Sequence, residues 1–262
     1  MGDLLYVTKL FKLKNISVVY IIIDIDSFRF SGKLSLKEIT LLNSASVLIV
    51  HTPAMKIFLC EAGVTTPMFD INLFDYNVLE DKKTYLDDPN DTTFIKNVVF
   101  AGNLEKSLFV RQLSNIAVNT LKYSLYGNLN SNCDFASFVF YEGKFHPDRP
   151  TMKKGWGLVW DGDSIFTCKG YLGDYLRVNL PHKTCLYLAA GMPVIVWKEA
   201  AISSYILKNN LGLAVSSLNE IEDVIDNLSK DEYENIRLSV FNFSQKLRKG
   251  EMLNNIFKRI EI

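Results

Sequence analysis

Between Trp156 and Trp197 the chain carries two short apolar runs, Gly157-Leu-Val-Trp160 and Pro193-Val-Ile-Val-Trp197, set too far apart for a hairpin. Apolar runs without alternation are typical of strands covered on both faces, as in parallel sheets. Parallel strands need a crossover connection. The interval supplies one: an acidic glycine turn at Asp161-Gly-Asp163, a polar loop ending at Asn179-Leu-Pro-His-Lys183, and a compact helix over Pro181 to Ala190. One unit of a parallel α/β sheet is therefore expected here.

The start of that helix is where chemistry is expected. Pro181 suits a first-turn position, where its missing N–H costs nothing. Gly191 and Pro193 form the expected stop. The first turn then offers unpaired N–H groups and a positive dipole end, with His182 and Lys183 in the same turn. That is an anion site in outline, suited to a phosphate. The alternative is a solvated helix lysine followed by a Leu-Ala-Ala-Gly run that only packs tightly.

With 262 residues, 48% hydrophobic and 12% aromatic, the chain can bury one large core or two small ones. Twenty-nine basic residues balance 29 acidic ones, so no global field would hold nucleic acid or an anionic membrane. Cys60, Cys133, Cys168 and Cys185 are widely spaced without a CxxC pair, against a zinc site or a disulfide framework, and a reducing setting is expected. The most apolar early stretch, Ser17 to Ile25, is too short to span a bilayer, and no signal-peptide pattern is visible. No GxGxxG fingerprint follows a strand and no GxxxxGK[ST] occurs, which disfavours a dehydrogenase or a nucleotide kinase.

Taken in order, residues 3–14 read as an amphipathic helix and Val18 to Ile23 as a fully buried central strand. Asp24, Asp26 and Arg29 follow at its carboxyl end, where open α/β sheets bind ligands; capping and loop solvation are the alternative for the two carboxylates. A helix over Leu36 to Asn43, a strand over Ala45 to Val50 and a helix over Ala54 to Gly63 come next, with His51 read as a structural loop residue. The polar, acidic stretch Asp75 to Asp91 reads as a linker. Lys96 to Ala101 is a strand, and Gly102 at its end would let backbone approach a phosphate, with the charge of Lys106 nearby. Thr120 to Gly127 is another strand, with Tyr126 near its end, and Phe135 to Phe140 a further apolar run. Beyond the central unit, Leu213 to Val215 reads as a strand, Ser217-Leu-Asn-Glu220 as a capping box, and helices run to Asn227 and from Asp231 to Arg248.

The segments GLVWDG, NLPHK and LYLAAGMPVIVW, with KEAAISSYILKNNLGLAVSSLNEI after them, resemble the nucleotide-sugar half of GT-B glycosyltransferases. More narrowly they resemble the bacterial family of β-1,6-galactofuranosyltransferases and the glucosyltransferases of serine-rich adhesins, over about Val18 to Ile225. The resemblance implies an α/β protein of GT-B type, two Rossmann-like domains with parallel sheets, the N-terminal one incomplete because two or three family βα units do not precede the first helix. It implies a partial acceptor-side domain at 1–90, a nucleotide-sugar-binding domain at 91–245 and a C-terminal helix at 246–262 that packs back on the first.

The implied function is transfer of a galactofuranosyl or glucosyl unit from a UDP-sugar to a glycan or glycoprotein acceptor, with no cofactor and no metal. A second copy or a partner glycosyltransferase is the further partner implied, nucleic acid is not, and the setting is cytoplasmic, at the inner face of the membrane. Gly102, Asn103 and Lys106 match the family's diphosphate segment, and Tyr126 would face the base and Asp161 the sugar. Asn179, His182 and Lys183 stand at the helix start, Ala200 and Ala201 where broader GT-B enzymes carry Gly-Gly, and Ser204 at the ribose position. Asp24 and Asp26 are the candidates for a base. Ile23 stands where the family shows histidine, so the alternative is a degenerate or truncated member acting as a nucleotide-binding or partner subunit.

Overall fold

The computed structural model describes residues 2–78, 95–130 and 134–260. Its first part runs α1 (Gly2–Leu13), β1 (Val19–Ile21), α2 (Asp26–Ser31), α3 (Leu36–Leu42), β2 (Val47–Val50), α4 (Pro53–Glu61) and β3 (Met68–Asp70). The three strands form a parallel sheet in the order β1-β2-β3. All four residues of β2 are buried, and α4 begins with Thr52 capping the Met55 N–H and Pro53 in the first turn.

The second part contains β4 (Asn97–Ala101), β5 (Lys122–Tyr126), β6 (Val139–Gly143), β7 (Trp156–Val159), α5 (Gly170–Leu176), α6 (His182–Ala189), β8 (Val194–Trp197), α7 (Ser203–Lys208) and β9 (Gly212–Val215). The helices α8 (Ile221–Asp226), α9 (Lys230–Arg248) and α10 (Glu251–Phe257) follow. Its six strands are all parallel, in the order β6-β5-β4-β7-β8-β9. The chain winds outward from β4 through β5 to β6, then returns to lay β7 on the other side of β4. The crevice at the carboxyl ends of β4 and β7 is thus the topological switch point, where such sheets hold ligands.

Packing fixes α6 against this sheet. A Cβ on Gly157 of β7 would lie 2.3 Å from the Tyr187 ring, so glycine there lets the helix approach closely. The buried Tyr187 hydroxyl then accepts the Ala101 N–H at 2.7 Å, satisfying the last backbone donor of β4. Trp156, Trp160 and Trp197 fill the same core, fully buried, and the indoles of Trp156 and Trp160 donate to the carbonyls of Ile95 and Ser164.

Several expectations are corrected. The run Val18 to Ile23 is neither central nor fully buried: β1 lies at the edge of its sheet among the described residues, and Ile21 and Ile23 are exposed. The interval read as a polar loop contains α5, hidden in the sequence by the weak helix formers Gly170, Gly173 and Asp174. Strand β3 carries only three residues and had no pattern of its own, and β6 starts at Val139, after most of the Phe135 to Phe140 run.

Pro181 is the N-cap of α6 rather than a residue of its first turn. Ser217 caps Asn219 N–H and Glu220 receives Ser216 N–H, so the pair is no reciprocal capping box. Helix α9 runs Lys230–Arg248, within a residue of the expected Asp231 to Arg248, and the chain turns at Gly250 in the left-handed region before α10. Of the expected linker, 79–91 lies outside the described residues.

Candidate active site

At the switch point, Asn103 directs its Oδ1 back to accept the N–H groups of Glu105 and Lys106, closing a tight turn that aims this segment into the crevice. The turn after β7 is built on Gly162, whose φ of +118° few other residues adopt. From across the crevice comes the start of α6, which no side chain among the described residues caps. These segments, with Asp24 beyond the end of β1 and Arg29 of α2, line a cavity of about 260 Å³ that also touches Tyr175, Asn179, His182 and Lys183.

Lys183 is the best-placed cation. Its side chain is 16% exposed, and its ammonium donates to the Trp160 carbonyl at 3.1 Å and to Asp161 Oδ1 at 2.9 Å, above the Phe100 ring at 4.6 Å. An ammonium has three N–H donors, so one remains for a ligand oxygen. Lys106 is exposed at the rim. Asn179 is buried, and its Oδ1 has no hydrogen-bond partner among the described residues; an orphaned buried acceptor is costly unless a ligand completes it.

His182 and Lys183 also border a second cavity of about 330 Å³, whose walls include Gly102, Tyr126, Phe145 and Pro147. Tyr126 packs edge-on to Phe145 at 5.4 Å and accepts the Lys153 N–H on its hydroxyl. The glycine that geometry demands here is Gly127 rather than Gly102. A Cβ on Gly127 would sit 1.8 Å from the Gly102 carbonyl oxygen, whereas one on Gly102 would meet only the Phe100 ring at 3.3 Å.

The structure therefore gathers Asp24, Gly102, Asn103, Lys106, Tyr126, Asp161, Asn179, His182 and Lys183 around two adjoining cavities. Ala200, Ala201 and Ser204 line neither: Ala201 N–H is engaged by the Leu176 carbonyl, Ala200 is buried, and Ser204 is exposed on the first turn of α7. Asp26 faces a different pocket, beside β1 and Glu38. Asp24 forms an exposed ion pair with Arg29 at 3.0 Å. Sequence reasoning gave Tyr175 and Gly127 no role. Tyr175 had a usable signal, since Tyr171, Leu172, Tyr175 and Leu176 follow helical spacing.

The sequence matches the family model described as glucosyltransferase 3-like, C-terminal domain, over residues 98–260, and its N-terminal-domain counterpart over residues 3–73. It is 31% identical over 252 residues to beta-1,6-galactofuranosyltransferase WbbI of Escherichia coli (strain K12), covering 95% of this chain and 72% of that one. Over 98 residues, 37% of this chain and 28% of the relative, it is 36% identical to Glucosyltransferase 3 of Streptococcus gordonii. Among solved structures the fold is similar to Anabaena HepE in complex with UDP and glucose, with a TM-score of 0.55 and 13% identity over 99% of this chain and 76% of that one. It is similar also to the lipopolysaccharide outer core galactosyltransferase WaaB in its apo form, with a TM-score of 0.52 and 13% identity over 99% and 80%. At such identities the structural likeness concerns the fold alone. Sequence matches on both sides of the cleft, joined to this arrangement of parallel sheets, make the chain a glycosyltransferase of the GT-B fold that belongs to the glucosyltransferase 3-like family.

Proposed function

We propose that the crevice between the sheets is the donor site for a UDP-sugar, and that the chain transfers its hexosyl unit, galactofuranosyl or glucosyl, to a glycan or glycoprotein acceptor. The observation that carries this reading is the meeting of Lys183, the uncapped start of α6, Lys106 and the orphaned Asn179 Oδ1 at one cavity. Departure of UDP develops negative charge on the diphosphate. Fixed cations and backbone N–H groups aimed at that charge lower the barrier. Lys183, held by Asp161 and Trp160, needs little reorganisation to supply its remaining N–H.

The adjoining cavity, walled by Tyr126, Phe145 and Pro147, suits a flat pyrimidine base, and Asn179 Oδ1 suits a donated sugar hydroxyl. With lysines and N–H groups serving the leaving group, the reaction is proposed to proceed without a metal. If the first sheet supplies a base, Asp24 is favoured over Asp26, because only Asp24 faces the crevice. No described helix is long and apolar enough to cross a membrane, and the proposed setting is the cytoplasm, at the inner face of the membrane.

The test is calorimetric titration of UDP into the purified chain, with Lys183→Ala beside it. The variant is expected to bind at least about tenfold more weakly, roughly 1.4 kcal/mol. Turnover of UDP-galactofuranose or UDP-glucose is then expected to survive a chelator. A folded wild type that ignores millimolar UDP would overturn the donor site and leave a partner-subunit role, which the exposed Ile23 in the family's histidine position favours.

A further inference from the structure

His51 lines neither cavity, yet it is the junction on which the crevice hangs. It follows β2 directly and is 1% exposed. Its Nδ1 lies 3.0 Å from the Leu180 nitrogen and its Nε2 2.9 Å from the Ile22 carbonyl oxygen. A backbone N–H can only donate, so Nδ1 is an acceptor and the proton sits on Nε2, donated to Ile22. One neutral tautomer thus bridges the end of β1 to the residue two places before His182. Burial, against the opposing pull of the Ile22 carbonyl, lowers the imidazole pKa to about 4, so this form holds at neutral pH.

Neighbouring bonds act on the same strip. Thr52 Oγ donates to the Val178 carbonyl at 2.6 Å, and the Tyr175 hydroxyl accepts the Ile25 N–H at 3.0 Å. Residues 175–180 are therefore fastened to the strand ends of the first sheet. Phe74 completes the link, edge-on to His51 at 5.3 Å and stacked on His182 at 5.5 Å with 7° between the planes. Both ring nitrogens of His51 are engaged by backbone groups, which leaves it no lone pair for general-base work.

We infer that His51 is a positioning residue: through Leu180 and Phe74 it sets the start of α6, with His182 and Lys183, at a fixed height against the first sheet. For its kinetic consequence this rests on the donor-site reading above, since cations displaced by about 1 Å from a leaving group can cost on the order of 100-fold in rate.

Three variants separate the two bonds. His51→Asn keeps an acceptor near the Nδ1 position, His51→Gln a donor near Nε2, and His51→Leu neither. Peptide-level amide hydrogen exchange over residues 178–183 should quicken at least about tenfold in the Leu and Gln variants and stay near wild type in Asn. With donor sugar present, kcat should fall about 10- to 100-fold in Leu and Gln, UDP affinity should fall with it, and Asn should restore both. Exchange at the wild-type rate in His51→Leu, or equal exchange in the Asn and Gln variants, overturns the inference. If the Leu variant does not fold, the Asn and Gln pair decides alone. A wild type that binds no UDP would sink the transferase reading, while the exchange comparison would still decide the role of His51.

Discussion

Glu222 carries four hydrogen bonds on one carboxylate. It accepts the N–H groups of Asn119, Thr120 and Leu121 and the Thr120 hydroxyl, at 2.7–3.0 Å, and so anchors the approach to β5 from the second residue of α8. Burial opposes its ionisation, but these donors outweigh burial and bring its pKa down to about 2. A carboxyl depressed in the folded state stabilises the protein above the unfolded value, about 4.3, and loses that contribution as pH falls towards 2. Glu222→Gln should therefore cost about 2 kcal/mol at neutral pH, in the range of hydrogen bonds to charged groups. Urea unfolding should show the gap between wild type and variant narrowing from pH 5 to pH 3. A gap that is constant across that window would mean the carboxylate charge contributes nothing.

At the scale of the element, α6 is held by close approach to β7 and by the Tyr187 hydroxyl on β4. Gly157→Ala forces the Tyr187 ring away and should cost about 1–3 kcal/mol by overpacking. Because α6 carries Lys183, the same change should weaken UDP binding, a coupling that a general loss of stability would not produce at temperatures where the variant is fully folded. Thermal melting and UDP titration on one sample check both. The short helices show how far local signals reach. α6 was legible because Gly191, with φ +75°, and Pro193 mark its end. α5 was not, since glycine and aspartate hide a seven-residue helix whose support is Phe28 of α2, packed edge-on to Tyr175 at 5.7 Å.

Over the whole molecule, the two sheets are joined at points far apart in sequence. Helix α10 has no cap of its own, because Gly250 precedes it. Asp75, just beyond β3, fills the gap by accepting the N–H groups of Met252 and Leu253 at 2.9 and 2.8 Å. Arg259 then lies over the Phe69 ring of β3 at 5.4 Å. Asp75→Ala should cost about 1 kcal/mol, as for loss of a helix cap. Its effect should be local: faster amide exchange in 252–257, with 178–183 unchanged. Acceleration of both regions together would show that the two sheets are joined as a single cooperative unit rather than at separate points.

The sequence by itself determined the parallel α/β class, most strands of the second sheet and the place where α6 starts, because these rest on apolar runs and helix punctuation within about 40 neighbouring residues. It also marked Gly102, Asn103, Lys106 and Lys183, which the fold brings to one crevice. Only the tertiary structure decided that β1 is an edge strand among the described residues, that Asp24 rather than Asp26 faces the crevice, and that Gly127 is the glycine the close approach requires. It alone revealed His51, Tyr175 and Asp75 as joints, since each takes its meaning from partners 129, 150 and 177 residues away. Local patterning reports what a residue can pair with, whereas the packing of two sheets decides which partner it meets.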